Sequence, residues 1–351
     1  MMPFLKVLLW PFTILYNLVT RVRNYLFDIG QKPSFKFDSI VISVGNLNVG
    51  GSGKTPMVEY LVRLLGTRYK VAILSRGFGR KTHGFRIASD DDNATTLGDE
   101  PYQYYLKFGK EVSVCVGEER ALAIPTILNE RPFTQIILLD DAFQHRTVVP
   151  QFSILLTEFS RPFYSDFVLP FGRLREARSG ADRADAIIVT KCSTLLNQED
   201  VVKKIRKYAR QQPIYFSSIF YKEAVPFSGG QSVGKRVVLV SGIANSSTLE
   251  SFVAKNFQLQ KHFRFNDHHF YTVGDLLKIQ AFVHEQDVDS ILTTEKDMVK
   301  LISPQLQGDL DKTKWFYLPV ETSFLDRGAD FDKLVLNMVD ENLRLLHDQN
   351  L

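Results

Sequence analysis

An α/β fold with a largely parallel sheet, carrying a phosphate-binding loop in its first part, is what the sequence predicts. Three observations lead there. Short β-branched runs alternate with helical patterns from residue 39 onward. Most of these runs are apolar at nearly every position, as strands covered on both faces are. The first of them leads directly into GNLNVGGSGKTP, Gly45 to Pro56, and a helical pattern follows.

The chain opens on an apolar, aromatic-rich segment. No charge lies between Lys6 and Arg21, a gap shorter than the ~20 apolar residues a membrane span needs. No small-residue cleavage site follows it. On a helix, Leu5, Leu8, Leu9, Phe12, Leu15, Tyr16, Val19, Val22 and Leu26 fall on one broad face. Phe4, Trp10 and Tyr25 add aromatics, and Lys6, Arg21 and Arg23 add positive charge. Residues 1–30 are therefore expected to form an amphipathic helix that lies in a membrane surface without crossing it. A helix packed on the core is the alternative.

Strands are expected at 39–45, 70–76, 111–117, 135–141, 152–158 and 185–191, with helices around 55–65, 118–128 and 199–210. A polar stretch containing Gly229, Gly230 and Gly234 interrupts this series. A shorter α/β series follows, with strands within 236–245, 289–297 and 314–320 and a final helix at about 330–347. The expected organisation is a nucleotide-binding domain over 31–212, a linker over 213–235 and a second α/β domain over 236–351. At 351 residues the chain has room for both. Its 44% hydrophobic and 23% charged residues are those of a folded globular protein, and a net charge of +4 is too mild to point to nucleic acid. Cys115 and Cys192 lie too far apart for a zinc or disulfide pattern, and Cys192 is expected to be buried filler.

The loop departs from G-x-x-x-x-G-K-[ST] at one place: Asn48 stands where the first glycine belongs. Asparagine tolerates a left-handed backbone, so Asn48 is expected to reproduce the glycine's conformation. Backbone N–H groups along Asn48, Val49, Gly50, Gly51, Ser52 and Gly53 would cradle phosphate oxygens, aided by the helix N-terminus. Lys54 would reach the terminal phosphates of a nucleoside triphosphate, and the Thr55 hydroxyl would hold Mg²⁺. Asp140 and Asp141 end an apolar strand, where a carboxylate for metal or water belongs. Which of the two takes which task is open.

SVGNLNVGGSGKTP, SRGFGR (75–80), GDEP (98–101), LLDDAFQHR (138–146), PFGRLREARSG (170–180), FNDHHFY (265–271) and TTEKD (293–297) occur in this order. Together they resemble the tetraacyldisaccharide 4′-kinase family, the lipid A 4′-kinases of Gram-negative bacteria. The resemblance implies transfer of the γ-phosphate of ATP, with Mg²⁺, to the 4′-hydroxyl of a tetraacyl glucosamine disaccharide 1-phosphate. It also implies two α/β/α domains joined by a short β-linker, the first a P-loop NTPase-like kinase domain and the second smaller. The family works peripherally at the cytoplasmic face of the inner membrane. Ala142 departs from the family's usual glycine, a modest change unless that backbone needs a positive φ.

The resemblance also assigns roles. Read alone, Asp99 looks like a helix N-cap; it matches the family's catalytic aspartate. His268 matches the histidine that pairs with it, and because it lies beyond residue 236, that pairing is expected to require domain closure. Arg175 and Glu176 match an element near the active site, Arg175 to neutralise developing charge and Glu176 to hold the arginine or the metal shell. Arg76, Arg80, Gln144, His145, Lys296 and Asp297 lie in family motifs with roles left open.

Three rivals use the same loop. IIVTK (187–191) faintly suggests a guanine-reading strand end of a GTPase or metallochaperone, but Ser193 stands where its aspartate belongs. A nucleotide-gated membrane adaptor would need neither Asp99 nor His268. A kinase for a soluble sugar would not need the apolar N-terminus. A nucleic acid or an obligate protein partner is not expected.

Overall fold

The computed structural model describes residues 3–193, 196–228, 232–310 and 314–349, the side chains of 3–7 and 349 excepted. The side chains of Phe4, Leu5 and Lys6, and the residues Gly229 and Gly230, lie outside what the structure describes. In chain order, α1 (Pro3–Asp28), β1 (Ile40–Asn46), α2 (Lys54–Leu65) and β2 (Val71–Ser75) come first. Residues 77–110 then form β3 (Arg86–Ile87), α3 (Ala94–Leu97) and α4 (Asp99–Phe108). The main series resumes with β4 (Ser113–Val116), α5 (Arg120–Glu130), β5 (Ile136–Asp140), β6 (Phe152–Glu158), β7 (Ala186–Thr190), α6 (Gln198–Ile205) and β8 (Ile214–Tyr221). A second series runs β9 (Val225–Pro226), β10 (Arg236–Ser241), α7 (Ser247–Asn256), β11 (Gln258–Arg264), α8 (Val273–Glu285), β12 (Ser290–Thr294), α9 (Glu295–Leu301) and β13 (Trp315–Leu318). β14 (Val320–Phe324) and α10 (Gly328–Gln349) end the chain.

These elements form two compact units. One comprises 1–76, 111–219 and 322–351; the other comprises 77–110 and 220–321. The division differs from the linear one expected at two segments. Residues 77–110 pack with the second series, and α10 packs with the first. Tyr60 of α2 donates to Asp332 at 2.6 Å, and Tyr69 donates to Asp340 at 2.6 Å. Contacts between distant segments decide such membership, and local patterning does not carry them.

In the first unit the strands run β14-β8-β7-β6-β1-β5-β2-β4, and the pairings from β8 to β4 are parallel. β1 is buried along its whole length. The chain leaves β1 in one direction for β2 and β4, returns through β5, and continues on the other side with β6. β1 is thus the point where strand order reverses, the place where α/β sheets bind ligands.

In the second unit the order is β11-β10-β12-β13-β9, parallel except for β9. Alternate residues of β10 enter different cores. Val238 and Val240 pack with Leu276 and Ile279 of α8, whereas Val237 and Leu239 pack with Leu249 and Val253 of α7. A period-two strand covered by helices on both faces makes this unit an α/β/α sandwich.

α1 is arranged inside out. Thr13 and Thr20 are buried, while Leu8, Phe12, Leu15, Val19 and Tyr25 are 56% to 63% exposed. Thr13 Oγ1 accepts from Phe171 N at 3.0 Å, and Tyr16 OH donates to the Arg175 carbonyl at 3.1 Å. Of the single face predicted, Leu9, Tyr16 and Leu26 are half-buried, and Trp10, Ile14 and Leu18 extend the exposed surface instead. Among the described residues no helix is long and apolar enough to cross a membrane.

Candidate active site

Two centres carry titratable groups, one in each unit. The first is built where β1 ends. Gly53 takes φ 84° and caps α2, and Gly50 takes φ 121°, so the loop uses its glycines as expected. Asn48 does not. It is absent from the left-handed positions, and its buried side chain donates from Nδ2 to Asp166 Oδ2 at 3.0 Å. Asp166 also accepts from the backbone of Phe167 and Arg173. Val49 N donates to the Arg173 carbonyl and Arg175 N donates to the Leu47 carbonyl, both at 2.8 Å. The asparagine thus fastens the loop to residues 166–175 through its side chain, where a glycine would rely on backbone freedom.

The far side of the loop is held as well. Thr190 Oγ1 donates to the Ser52 carbonyl at 2.8 Å, and the Lys191 ammonium donates to the Gly51 carbonyl at 2.5 Å. Lys191 also lies 3.5 Å from Glu158. IIVTK therefore ends in a residue spent on the loop backbone. Thr190, Lys191, Glu158 and Asp166 escaped sequence reasoning because nothing local ties them to residues 48–52.

Lys54 stands at the first turn of α2, 3.7 Å from Asp141 Oδ1. Asp141 receives Arg175 in a two-pronged pair, Nη1 to Oδ1 at 2.9 Å and Nη2 to Oδ2 at 3.0 Å. Burial raises the Asp141 pKa, but Lys54 and Arg175 outweigh it and leave the carboxyl below its ordinary value. The left-handed residue here is Asp141 itself (φ 49°), so Ala142 needs no glycine. Asp140, the last residue of β5, is buried and accepts from Ser75 Oγ at 3.2 Å.

Glu176 is buried with both oxygens engaged: Gln144 and Arg183 donate to Oε1, and Asn24 of α1 donates to Oε2. Gln144 Nε2 also donates to the Asn46 carbonyl at 2.9 Å, so Glu176 braces the end of β1. Among the described residues Asp140, Asp141 and Glu176 do not form a three-carboxylate metal cluster. Thr55 and Asp140 supply a hydroxyl and a carboxylate, hard oxygen donors of the kind Mg²⁺ takes beside phosphate. Burial, then Arg120 and Arg76, push the neighbouring His145 down to about 4.

The second centre lies wholly in the other unit. Asp99 is the first residue of α4, but Gly98 (φ 95°) is its cap and Asp99 makes no capping bond. A Cβ at Gly98 would meet the Phe78 carbonyl at 2.8 Å, so glycine is required there. Asp99 Oδ2 lies 3.2 Å from His268 Nδ1. Residues 77–110 pack with 220–321, so this pair forms inside one unit; the closure expected for it is not needed. His268 has φ 58°, and the Phe78 ring edge meets its imidazole.

The neighbouring histidine has other work. His269 stacks on Phe265 and contacts Asp275, which closes the capping box of α8 with Thr272. Asp297 is buried and accepts from Gly242 N at 2.9 Å and Thr294 Oγ1 at 2.6 Å, with Lys300 at 2.7 Å. Burial and then Asp297 push the Tyr271 phenol pKa upward. Arg80 Nη2 donates to the Gly84 carbonyl at 2.6 Å, and Arg76 is exposed.

Residues 5–340 match the family model for tetraacyldisaccharide-1-P 4′-kinase. The chain belongs to that family. A tetraacyldisaccharide 4′-kinase of Flavobacterium johnsoniae is 41% identical over 350 residues, covering 97% of this chain and 99% of the relative. The corresponding kinase of Cytophaga hutchinsonii is 38% identical over 326 residues, covering 91% and 92%. The crystal structure of LpxK from Aquifex aeolicus in complex with ATP is similar with a TM-score of 0.74 and 28% identity, covering 95% of this chain and 99% of that one. Membership makes this chain a tetraacyldisaccharide 4′-kinase in activity, and the GTPase, metallochaperone and adaptor readings have no support beside it. Lys54, Arg175, Asp141 and the loop lie in one unit, and Asp99 with His268 in the other.

Proposed function

We propose that the two centres divide the work of phosphoryl transfer from ATP. The loop binds the phosphates through those of its backbone N–H groups not spent within the protein, as that of Val49 is on the Arg173 carbonyl, and Lys54 neutralises charge on the terminal ones. Thr55 and Asp140 would hold Mg²⁺, which supplies further charge neutralisation when bound. Asp141 orients Lys54 and Arg175, and Arg175 offsets charge developing on the transferred group. Glu176 braces the loop, since its oxygens already serve protein donors.

Asp99 acts as the general base. It takes the proton of the 4′-hydroxyl while that oxygen's electron pair forms the new bond to phosphorus. The bond from phosphorus to the bridging oxygen breaks, and that electron pair leaves with ADP. The observation that carries this reading is the 3.2 Å contact of Asp99 with His268, a carboxylate held in one orientation on a glycine-capped helix start.

The acyl chains of the substrate bring the protein to lipid, and α1 has the corresponding surface. Its apolar residues face outward and its threonines, Tyr16 and Asn24 inward. We propose that α1 lies in the cytoplasmic face of the inner membrane, peripherally.

The decisive assay incubates the whole protein with γ-labelled ATP, Mg²⁺ and tetraacyldisaccharide 1-phosphate in detergent and follows label into extracted lipid. Asp99→Ala is expected to lose about 10²–10⁴-fold in turnover with ATP binding retained. Turnover within a few-fold of the unsubstituted protein would remove Asp99 from the chemical step.

A further inference from the structure

His268 has a second polar neighbour besides Asp99. On the opposite side of the ring, Nε2 lies 3.2 Å from the ammonium of Lys296. Lys296 is the second residue of α9, and its charge is shared with Asp267 at 3.4 Å and Glu100 at 3.8 Å. The two arms stand on one frame, because Gln103 and Lys107 of α4 both bond Glu295, the first residue of α9.

A neutral imidazole carries one N–H and one lone pair, and an ammonium carries donors only. Contact with Lys296 therefore requires the lone pair on Nε2 and the proton on Nδ1. That N–H points at Asp99 Oδ2. We propose that Lys296 is a positioning residue that fixes His268 as the neutral Nδ1–H tautomer, so that His268 orients Asp99 by donating to it and takes no proton from it. The inference rests on the reading of Asp99 as the base, and it assigns the histidine the orienting part.

The polar groups around the ring show what the lysine adds. Asp99 faces Nδ1, and Asp267 Oδ2 lies 3.9 Å from Nε2. Glu100 is reached through Lys296, and Tyr271 from the following loop feels Asp99. Phe78, on the ring edge, is uncharged. Among the described residues Lys296 is the cation in contact with this ring. Without its donor the lone pair would no longer be held on Nε2.

Nitrogen NMR of the full chain with isotope-labelled histidine, assigned by His268→Gln, reads the tautomer directly. The unsubstituted protein near neutral pH is expected to show a protonated Nδ1 and a bare Nε2. In Lys296→Met the ring is expected to lose the fixed Nδ1–H tautomer. Turnover should fall about tenfold with KM for ATP unchanged, and Lys296→Arg, which keeps the donors, should restore both tautomer and rate. A bare Nδ1 in the unsubstituted protein, or an unaltered tautomer in Lys296→Met, overturns the assignment. Full activity of Asp99→Ala would defeat the base reading alone, since the tautomer of His268 is measured without turnover.

Discussion

The two centres of this kinase are built in opposite ways. The phosphate loop is a contiguous run between β1 and α2, and its defining groups are the backbone and the residue next to it, Lys54. The Asp99–His268–Lys296 centre draws on three segments, with 169 residues separating its first two members. A contiguous site tolerates replacement at single side chains as long as the turn survives, while an assembled one depends on every segment that brings it together. The difference predicts distinct ways for each to fail.

Lys54→Ala is the largest break. Removing the ammonium from the loop should cost about 10³-fold in turnover and also weaken nucleotide binding, as calorimetry with ATP would measure. Asp99→Ala, by contrast, should leave that binding intact. If Lys54→Ala binds ATP with unchanged affinity and retains turnover, the loop is not where the triphosphate sits and the division of work falls.

The contrast also governs what a reader of the sequence can see. β1, the glycine loop and α2 were legible because each is local: an apolar run, a glycine cluster, then a periodic helix. Most strands of both series were legible for the same reason, to within a residue or two. The helix predicted to 210 ends at Ile205, where a turn to Ala209 replaces its last stretch. Asp99 and His268 were legible only as motifs resembling a family, and their shared unit was not, because the packing of 77–110 with 220–321 leaves no local trace. Lys296 carried no signal at all beyond its motif. α1 was read as amphipathic; among its described side chains the buried ones are Thr13 and Thr20, while of the predicted apolar face only Leu9, Tyr16 and Leu26 are half-buried.

A smaller effect separates the two explanations of Asn48. Were the asparagine present for its backbone, Asn48→Gly would be neutral or favourable, since glycine is the residue the strict pattern carries. The bond from Nδ2 to Asp166 says otherwise. Asn48→Gly is expected to destabilise the protein by about 1–2 kcal/mol in urea unfolding and to raise KM for ATP a few-fold. A neutral result would return Asn48 to the backbone role.

The smallest effect is a pH dependence that belongs to the loop-bearing unit alone. Burial, with Arg120 and Arg76, holds His145 down to about 4 from its ordinary 6.5. Between those values the unfolded chain binds the proton and the folded one does not, so stability rises with pH there. The contribution is complete above 6.5 and is lost as pH falls toward 4. Asp141 acts lower. Its carboxyl, raised by burial but lowered more by Lys54 and Arg175, adds stability above its ordinary 3.8 that is lost only as pH falls below that value. Urea unfolding at several pH values should therefore show His145→Gln flattening the slope between 4 and 6.5 while leaving the loss below 3.8 in place. An unchanged slope in His145→Gln would mean that the imidazole is as well hydrated in the folded protein as in the unfolded chain, and that the guanidinium groups near it are screened.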